Sequence, residues 1–364
     1  MQRKCAFFAE RVFFIENLRM RQRLCIFACA NSVDLAVSAM VNKTIDEMKD
    51  LLKNWTLPVA MLSGTVLYLL FAFTPSLNGA ASVLGPFFDQ ILPLFMFFIL
   101  LVTFCKVDFH KLRPVRWHWW VALFQLIFIG AVVALILGFR LRGQHLVLAE
   151  AVLCCIIGPC AAAAPVVTVK LGGDLETITT YTFLSNFITA ALVPVVFPLI
   201  DTDIHMSFLN SFLLILYKVC LILVLPMLLA YIIKHHLHRL HQAIVSVKDL
   251  SFYLWAISLS IVTGTTVRNI VHADTTVPFL LLIALLGLLL CIVQFAVGRY
   301  VGHFFNAVVN AGQALGQKNT TFAIWISYMY LNPLSSVGPG CYILWQNIVN
   351  SIELWQHRKA EERK

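Results

Sequence analysis

Long apolar runs separated by short polar segments form the pattern of this chain after residue 54. Each run is close to the roughly 20 residues that an α-helix needs to cross the hydrocarbon core of a bilayer. About ten such spans can be read, near residues 55–73, 88–105, 117–139, 146–171, 177–200, 208–233, 250–271, 277–297, 300–330 and 335–355. The pattern therefore predicts an all-α polytopic membrane protein with about ten transmembrane helices.

Two of these spans contain residues that interrupt a helix. The fourth includes Pro165, which has no backbone N–H and clashes with the preceding turn, so we expect this span to break near that residue. In the ninth, nine of the twelve residues from 310 to 321 are polar or glycine, and we expect a break around Gly316. Unwound backbone and polar side chains are costly when they face lipid, so both segments should line a cavity or be buried in protein.

The two halves of the chain correspond to each other. Each half has five predicted spans, and the fourth span of each half is the interrupted one. Matching spans are offset by roughly 155 residues, and an odd number of spans per half requires the halves to be inverted in the membrane. The pattern thus predicts two inverted five-helix repeats with two crossed discontinuous helices, an arrangement that indicates a substrate site near the middle of the bilayer.

Composition and charge agree with this class of protein. The chain is 60% hydrophobic and 12% charged, whereas soluble domains carry about a quarter charged residues. The net charge of +9 reflects basic loops on one side rather than a nucleic-acid partner, because Lys and Arg concentrate between the second and third spans, between the sixth and seventh, and in the tail. By the positive-inside rule this predicts a multi-pass protein of the cell (cytoplasmic) membrane with both termini in the cytoplasm.

Residues 1–47 differ from the rest of the chain. They contain two apolar patches interrupted or separated by arginines, and neither patch is a clean transmembrane span. A more typical start follows at Met48. We therefore expect a weakly ordered N-terminal extension at 1–47 and a transporter domain at 48–364.

The interrupted segments resemble a known family. Gly158-Pro159 through Gly172-Gly173-Asp174, followed by Thr182, resembles the first crossover of the bile acid:sodium symporter family. Gly316-Gln317-Lys318-Asn319-Thr320 resembles the second crossover motif of that family, Glu-x-Gly-x-Gln-Asn-Ser. The resemblance covers residues 55 to about 355.

The resemblance implies a panel formed by the first, second, sixth and seventh spans and a core formed by the other six. It also implies a secondary transporter of small organic anions, such as bile acids, pantoate or keto acids, that usually uses sodium and works by alternating access. Substrate is expected in the crevice between panel and core, near the crossing.

The chain departs from the family pattern at residues that would bind sodium. The family's glutamate falls on Ala314, its glutamine on Lys318 and its Ser-Asn pair on Ala164-Pro165, whereas Thr168, Thr182 and Asn319 match. Sodium is a hard cation that needs several oxygen ligands, so the loss of these oxygens together with the gain of an ammonium predicts degraded sodium sites. Coupling would then be proton-linked or sodium-independent.

Lys318 is the residue on which the functional prediction depends most. Its ammonium could replace sodium as a fixed cation, exchange a proton or attract an anionic substrate. The alternative is that its stem snorkels and its charge lies in water at the edge of the crevice. The predicted substrate-binding residues are Asn319, Lys318, Thr320, Thr168 and Pro165, and the predicted ion-binding or coupling residues are Lys318, Gln317, Gln313 and Thr182.

Other functional classes find less support. A cation/proton antiporter can share crossed broken helices but needs a carboxylate in mid-membrane, and the carboxylates nearest the spans, including Glu150 and Glu353, fall near predicted span ends. A membrane ligand sensor that does not transport is the other alternative. The sequence contains no nucleophile–base constellation that would predict an enzyme. The four histidines between residues 235 and 241 lack a carboxylate to orient a ligand, so we expect no metal site and no cofactor other than a coupling ion.

Overall fold

A computed structural model describes residues 56–74, 78–200, 207–247, 250–272 and 275–362 of the chain. Contacts divide the chain into two units, Met1–Val59 and Ala60–Lys364. The first unit is described only from residue 56, so the predicted extension at 1–47 lies outside the described residues.

The described residues are almost entirely helical. Short 3₁₀ turns at Phe109–Lys111 and Pro333–Ser336 accompany the α-helices. The α-helices are α1 (Thr56–Phe73), α2 (Asn78–Cys105), α3 (Arg116–Gly138), α4 (Gly143–Ile157), α5 (Ala164–Lys170), α6 (Leu175–Ile200), α7 (Phe208–Val219), α8 (Leu225–His236), α9 (His238–Ser246), α10 (Leu250–Val271), α11 (Val277–His303), α12 (Val308–Gly316), α13 (Thr320–Tyr330) and α14 (Val337–Glu361).

A helix, or a pair of helices, lies at each of the ten predicted spans. The largest differences in their ends are that α2 begins at Asn78, and that α11 runs on to His303 so that α12 begins only at Val308. Four described stretches are long and apolar enough to cross a bilayer, namely Arg116–Gly138, Leu175–Ile200, Phe208–His236 and Val277–His303. These stretches confirm the membrane-protein class, and a crossing by all ten spans stays a prediction.

The break in the fourth span lies earlier than Pro165. Helix α4 ends at Ile157, residues 158–163 are unwound, and Pro165 falls in the first turn of α5. Proline is well tolerated there, because the first N–H groups of a helix have no intrahelical acceptor. The predicted break near Pro165 is confirmed, and the unwound residues lie directly before the proline, which begins the second half of the broken helix.

The stretch from Phe208 to His236 contains a π-helical turn at Cys220–Val224, where α7 meets α8. Pro226 follows directly, in the first turn of α8. A proline inside a helix removes one hydrogen bond and clashes with the carbonyl four residues earlier. The wider π turn accommodates that proline without ending the helix.

The helices pack around the two interrupted segments. Helix α2 packs against α8 and α10, while α11 packs against both α12 and α14. Gly298 allows α11 and α12 to approach closely, since a Cβ atom at this position would lie 2.4 Å from the Ala311 carbonyl oxygen. The second half of the chain thus holds the broken span α12–α13 between α11 and α14.

Candidate functional site

The two unwound segments meet and pair as antiparallel extended chain. The Ala161 N–H donates to the Gln317 carbonyl at 2.9 Å, and the Asn319 N–H donates to the Pro159 carbonyl at 2.8 Å. These two bonds flank Cys160 and Lys318, which form an isolated β-bridge. The interruptions after Ile157 and Gly316 are therefore brought into direct contact, as the sequence predicts for crossed discontinuous helices.

This pairing decides on which face each side chain lies. Cys160 and Lys318 form a non-hydrogen-bonded pair, in which opposite side chains lie close together on the same face. The alternation of extended chain places Ala161, Gln317 and Asn319 on the other face. The Cys160 thiol lies 3.6 Å from the Thr182 hydroxyl, so the Cys160–Lys318 face is directed toward α6.

Buried side chains satisfy the backbone groups that the first interruption leaves without helical partners. Gln125 of α3 donates from Nε2 to the Ile156 carbonyl at 2.9 Å. Thr189 of α6 donates to the Ile157 carbonyl, also at 2.9 Å. An orphaned carbonyl in a low-dielectric interior is costly. These polar residues of neighbouring helices therefore make the broken helix possible.

Helix α14 performs the same role for the second interruption. Gln346 accepts from the Lys318 N–H at 2.9 Å and donates to the Lys318 carbonyl at 3.3 Å. Tyr342 donates from its hydroxyl to the Gly316 carbonyl at 2.7 Å. Gln346 was not among the predicted site residues, although its position one helical turn from Asn350, and near Glu353, is a readable signal of a polar stripe on one helix face.

Lys318 is buried, with 2% of its surface exposed. Its ammonium nitrogen makes no hydrogen bond, and the part of the chain that the structure describes places no carboxylate within ion-pair distance of it. The snorkelling alternative is therefore wrong for this conformation. A buried cation without a partner is costly, so its presence at the crossing needs a reason beyond packing.

A narrow cleft lies beside the crossing. One wall is apolar and comes from Met96, Ile99 and Leu100 of α2 and Trp255 of α10; the crossing wall consists of Ala161, Ala162, Gln317, Lys318, Asn319, Thr320 and Thr321, with Gln346 of α14. The cavity volume is about 30 Å³, close to the share of liquid volume that one water molecule occupies. The cleft must therefore widen before it can bind an organic anion.

Asn319 and Thr320 form the polar wall of this cleft at the start of α13. The Asn319 side chain caps the helix by accepting from the Phe322 N–H at 3.1 Å. The amide nitrogen of Asn319 has no acceptor among the residues that the structure describes, and the Thr321 N–H lies in the first turn, where helical acceptors are lacking. A helix N-terminus with free donors suits an anionic group.

Four predicted site residues lie outside the cleft lining. Pro165 and Thr168 are buried in α5, and the Thr168 hydroxyl has no hydrogen-bond partner in the described structure. Thr182 bonds back to its own helix at the Ile178 carbonyl, 3.0 Å away. The structure therefore brings Gln317, Lys318, Asn319 and Thr320 together and separates Thr168, Pro165, Thr182 and Gln313 from the cleft.

Gln313 connects α12 to α14 rather than to Lys318. Its amide nitrogen donates to Asn350 Oδ1 at 3.0 Å and to Glu353 Oε2 at 2.8 Å. Glu353 also forms an ion pair with Arg299 of α11. Gln313 is a predicted ion-binding or coupling residue, and its bonds in this structure join α12 to α14.

Glu150 lies at the other end of α14. It is 3% exposed and accepts a hydrogen bond from Ser335, directly before α14. The expectation that Glu150 falls near the end of a span, away from the interior, was wrong, because α4 begins at Gly143 and carries Glu150 into the protein. Helix α14 is thus bonded to α4 near its start and to α12 near its end.

The remaining sequence motifs lie outside this site. In the described ranges no three His, Cys, Asp or Glu side chains form a group that could hold a metal ion. In the first turns of α3, Trp119 and Trp120 are more than half exposed, as expected of an interfacial belt, whereas Trp117 and His118 are buried against Tyr181.

The comparisons with known proteins agree with this architecture. The model of the sodium bile acid symporter family matches residues 93–301. The match includes the first unwound segment and ends before α12, so the second segment lies beyond it. A search of curated proteins gives no match. The family match covers more than half of the chain, and the protein therefore belongs to the sodium bile acid symporter family, whose members are multi-pass membrane transporters and not enzymes.

Proposed function

We propose that this protein is a secondary transporter of small organic anions in which Lys318 takes the place of a sodium ion. The observation that carries the proposal is the buried, unpartnered ammonium of Lys318 at the crossing of the two unwound segments. Family membership supports transport. The bridge pairing supports a role at the crossing itself rather than in the loops.

We assign ion coupling and substrate binding to different faces of the crossing. Gln317, Lys318 and Asn319 all border the cleft. Lys318 shares its face of the crossing with Cys160, near Thr182, whereas Gln317 and Asn319 lie on the other face. We assign Lys318 and Thr182 to coupling, and Asn319, Thr320 and the N-terminus of α13 to the anionic group of the substrate. The apolar body of the substrate would lie against α2 and Trp255 of α10.

A tethered cation changes the energetics of coupling. Sodium arrives from solution and must be bound in each cycle, while a lysine is always present and can change only its protonation state. A buried lysine without a partner favours release of its proton, and an approaching anion favours uptake of a proton. Proton binding at Lys318 and anion binding would therefore reinforce each other, which is the thermodynamic requirement of proton-coupled transport.

The proposed cycle requires the cleft to open and close. The cleft separates α2 and α10, assigned to the panel, from the crossing, assigned to the core of two inverted five-helix repeats. Bonds from α14 to α4 and α12 support movement of the core as one body. We place the protein in the cell membrane with both termini in the cytoplasm, because basic residues concentrate in the loops of that side.

The decisive experiment is uptake by the full-length protein in proteoliposomes. Labelled anions (a bile acid, pantoate and a keto acid) are offered under imposed sodium or proton gradients. We expect an inward proton gradient to drive uptake and sodium to have little effect. A steep sodium requirement would contradict the role of Lys318.

Substitution of Lys318 tests the same reasoning at one residue. Lys318→Gln should lower uptake and flatten its pH profile, because the remaining carboxamide cannot exchange a proton. Lys170→Gln is the matched control, since Lys170 is an exposed lysine at the end of α5. An unchanged pH profile in the Lys318 variant, with uptake preserved, would refute proton exchange at this residue.

One observation favours the antiporter alternative, namely the buried carboxylate of Glu150. The same vesicles distinguish the two functions. A cation/proton antiporter would dissipate a pH gradient on addition of sodium alone and would lose this activity in Glu150→Gln. A transporter of anions would move protons only when an anion is present.

A further inference from the structure

Helix α9 is the one described helix longer than two turns that crosses no predicted span and buries none of its residues. It lies between α8 and α10. Leu240 on this helix is 46% exposed, and Leu237 and Val247 at its two ends are 49% and 46% exposed. On a helical wheel these three residues fall on one face, while Arg239 and Gln242 fall on the other. Such a helix is typical of one that lies in the plane of a membrane surface.

Contacts with α2 hold α9 in a defined position. The His241 ring nitrogen Nε2 lies 2.8 Å from the carbonyl oxygen of Cys105, the last residue of α2. The ammonium of Lys106 donates to the Val247 carbonyl at 3.2 Å. Helix α9 is therefore fixed beside the connection between α2 and α3.

The tryptophans of α3 indicate where this end of the protein lies relative to the bilayer. Trp119 and Trp120 are 57% and 56% exposed in the first turns of α3, directly after the α2–α3 connection. Exposed tryptophans in a membrane protein concentrate at the level of the lipid headgroups. The connection and α9 consequently lie at that level as well.

The charges of this surface are unbalanced. Glu176 forms an ion pair with Lys111 at 2.8 Å, and its hydrogen bond raises the pKa of that lysine. Asp108 lies 3.8 Å from Lys234. The nearby carboxylates are thus already engaged. Arg113, Arg116 and Arg239 are exposed and form no ion pair with any carboxylate in the described ranges.

We propose that α9 and the α2–α3 connection, residues 106–116 and 237–247, form a binding surface for the headgroups of anionic phospholipids. The exposed leucines would enter the boundary of the acyl chains, and the arginines would contact phosphate oxygens with several donors each. None of these residues lines the cleft, and the proposal does not depend on the proposed transport function.

Photo-cross-linking of lipid to the intact protein tests the proposal. The full-length protein is reconstituted in phosphatidylcholine vesicles that contain a small fraction of photoactivatable phosphatidylglycerol, or photoactivatable phosphatidylcholine in the parallel arm. Digestion and mass spectrometry locate the adducts. We expect phosphatidylglycerol adducts in peptides from residues 106–116 and 237–247, and a much lower yield there with phosphatidylcholine. Equal yields of the two lipids, or phosphatidylglycerol adducts elsewhere only, would overturn the proposal.

Charge variants provide the quantitative test. Each basic residue close to an anionic surface contributes roughly a fivefold preference for it, so Arg113→Gln with Arg239→Gln should lower the preference of this surface for phosphatidylglycerol over phosphatidylcholine by about 25-fold. Arg140→Gln with Arg142→Gln is the matched control, because both arginines are exposed in the connection between α3 and α4. All four substitutions are at exposed side chains, so the variants should fold. Equal losses in the two double variants would show that general charge, and not this surface, attracts the lipid.

Discussion

The two hydrogen bonds between Gln346 and the backbone of Lys318 permit a direct test of how the crossing is stabilised. We consider Gln346→Met, which keeps the volume and length of the side chain but removes both its donor and its acceptor. The side chain of Gln346 is 4% exposed, and Lys318 is 2% exposed. The substitution thus leaves the Lys318 N–H without a partner inside the protein, while the Lys318 carbonyl keeps one bond, from the Thr320 N–H at 2.9 Å.

The magnitude follows from what each of the two backbone groups loses. The N–H that loses its partner costs about 1–3 kcal/mol, and the second bond that the carbonyl loses costs about 0.5–1.5 kcal/mol, together about 1.5–4.5 kcal/mol. Because Lys318 borders the cleft, water can replace part of the lost bonding, and we expect the lower part of that range, about 1.5–3 kcal/mol. The volume-conserving exchange adds little from packing, about 1 kcal/mol or less.

The buried cysteines of this protein provide the assay. Six of the seven described cysteines are buried, so a thiol-reactive dye reports unfolding through their exposure on heating. At about 2.1 cal/mol/K of unfolding entropy per residue, 1 kcal/mol corresponds to about 1–2 °C in the apparent melting temperature of a chain of 364 residues. We expect Gln346→Met to lower that temperature by at least about 2 °C in detergent.

A matched control separates this effect from loss of any glutamine. Gln144 is exposed in the first turn of α4, and Gln144→Met should leave the melting temperature within about 1 °C. A Gln346→Met protein as stable as the unsubstituted protein would refute the argument, since the unwound backbone would then be satisfied without α14.

Three further predictions concern packing, specificity and the buried hydrogen bond between Ser335 and Glu150. Gly298→Ala should destabilise the protein by roughly 1–3 kcal/mol in the same dye assay, because its Cβ would lie 2.4 Å from the Ala311 carbonyl oxygen; Gly130→Ala, where nothing lies near the added atom, is the control. Trp255→Ala should raise the KM of uptake severalfold while Trp255→Phe retains most affinity, which uptake kinetics would check; an equal KM in both variants would exclude the ring from binding. Glu150→Leu should lower the melting temperature more than Glu150→Gln, because only glutamine can still accept from Ser335.

Much of the helix layout could be predicted from the sequence because the bilayer limits the choices. Only a helix satisfies its own backbone over about 20 apolar residues in lipid. The length of each apolar run and the polar residues at its ends therefore predicted helix bounds, as for α10, which has the predicted ends Leu250–Val271. The predicted helix ends differ from the observed ones where apolar and amphipathic residues continue beyond the length needed to cross the membrane, as in α11, which runs to His303. The break near Pro165 was predicted, but not the side of the proline on which the chain unwinds, because a proline can end one helix or begin the next and the sequence pattern is similar in both cases.

The candidate site could be predicted only in part. Lys318 and Asn319 were identified from their own segment, because polar residues within an apolar span need a reason. Trp255 and Gln346 were missed, since a tryptophan or a glutamine in a distant helix gives no local signal of what it contacts. Thr168 and Thr182 were assigned to the site by resemblance, and the structure places them in helices behind the crossing rather than in the cleft.

By itself the sequence determined that this protein lies in a membrane, where its helices run, and that two of them are broken at positions rich in small and polar residues. Those properties follow from apolar length and backbone chemistry, which act over a few turns of one helix. Only the tertiary structure decided that residues 159–161 and 317–319 pair as extended chain, that the Lys318 side chain lies beside Cys160 on the face opposite Asn319, and that α14 satisfies the unwound backbone. These are contacts between segments more than 25 residues apart, and their register depends on how whole helices pack against one another.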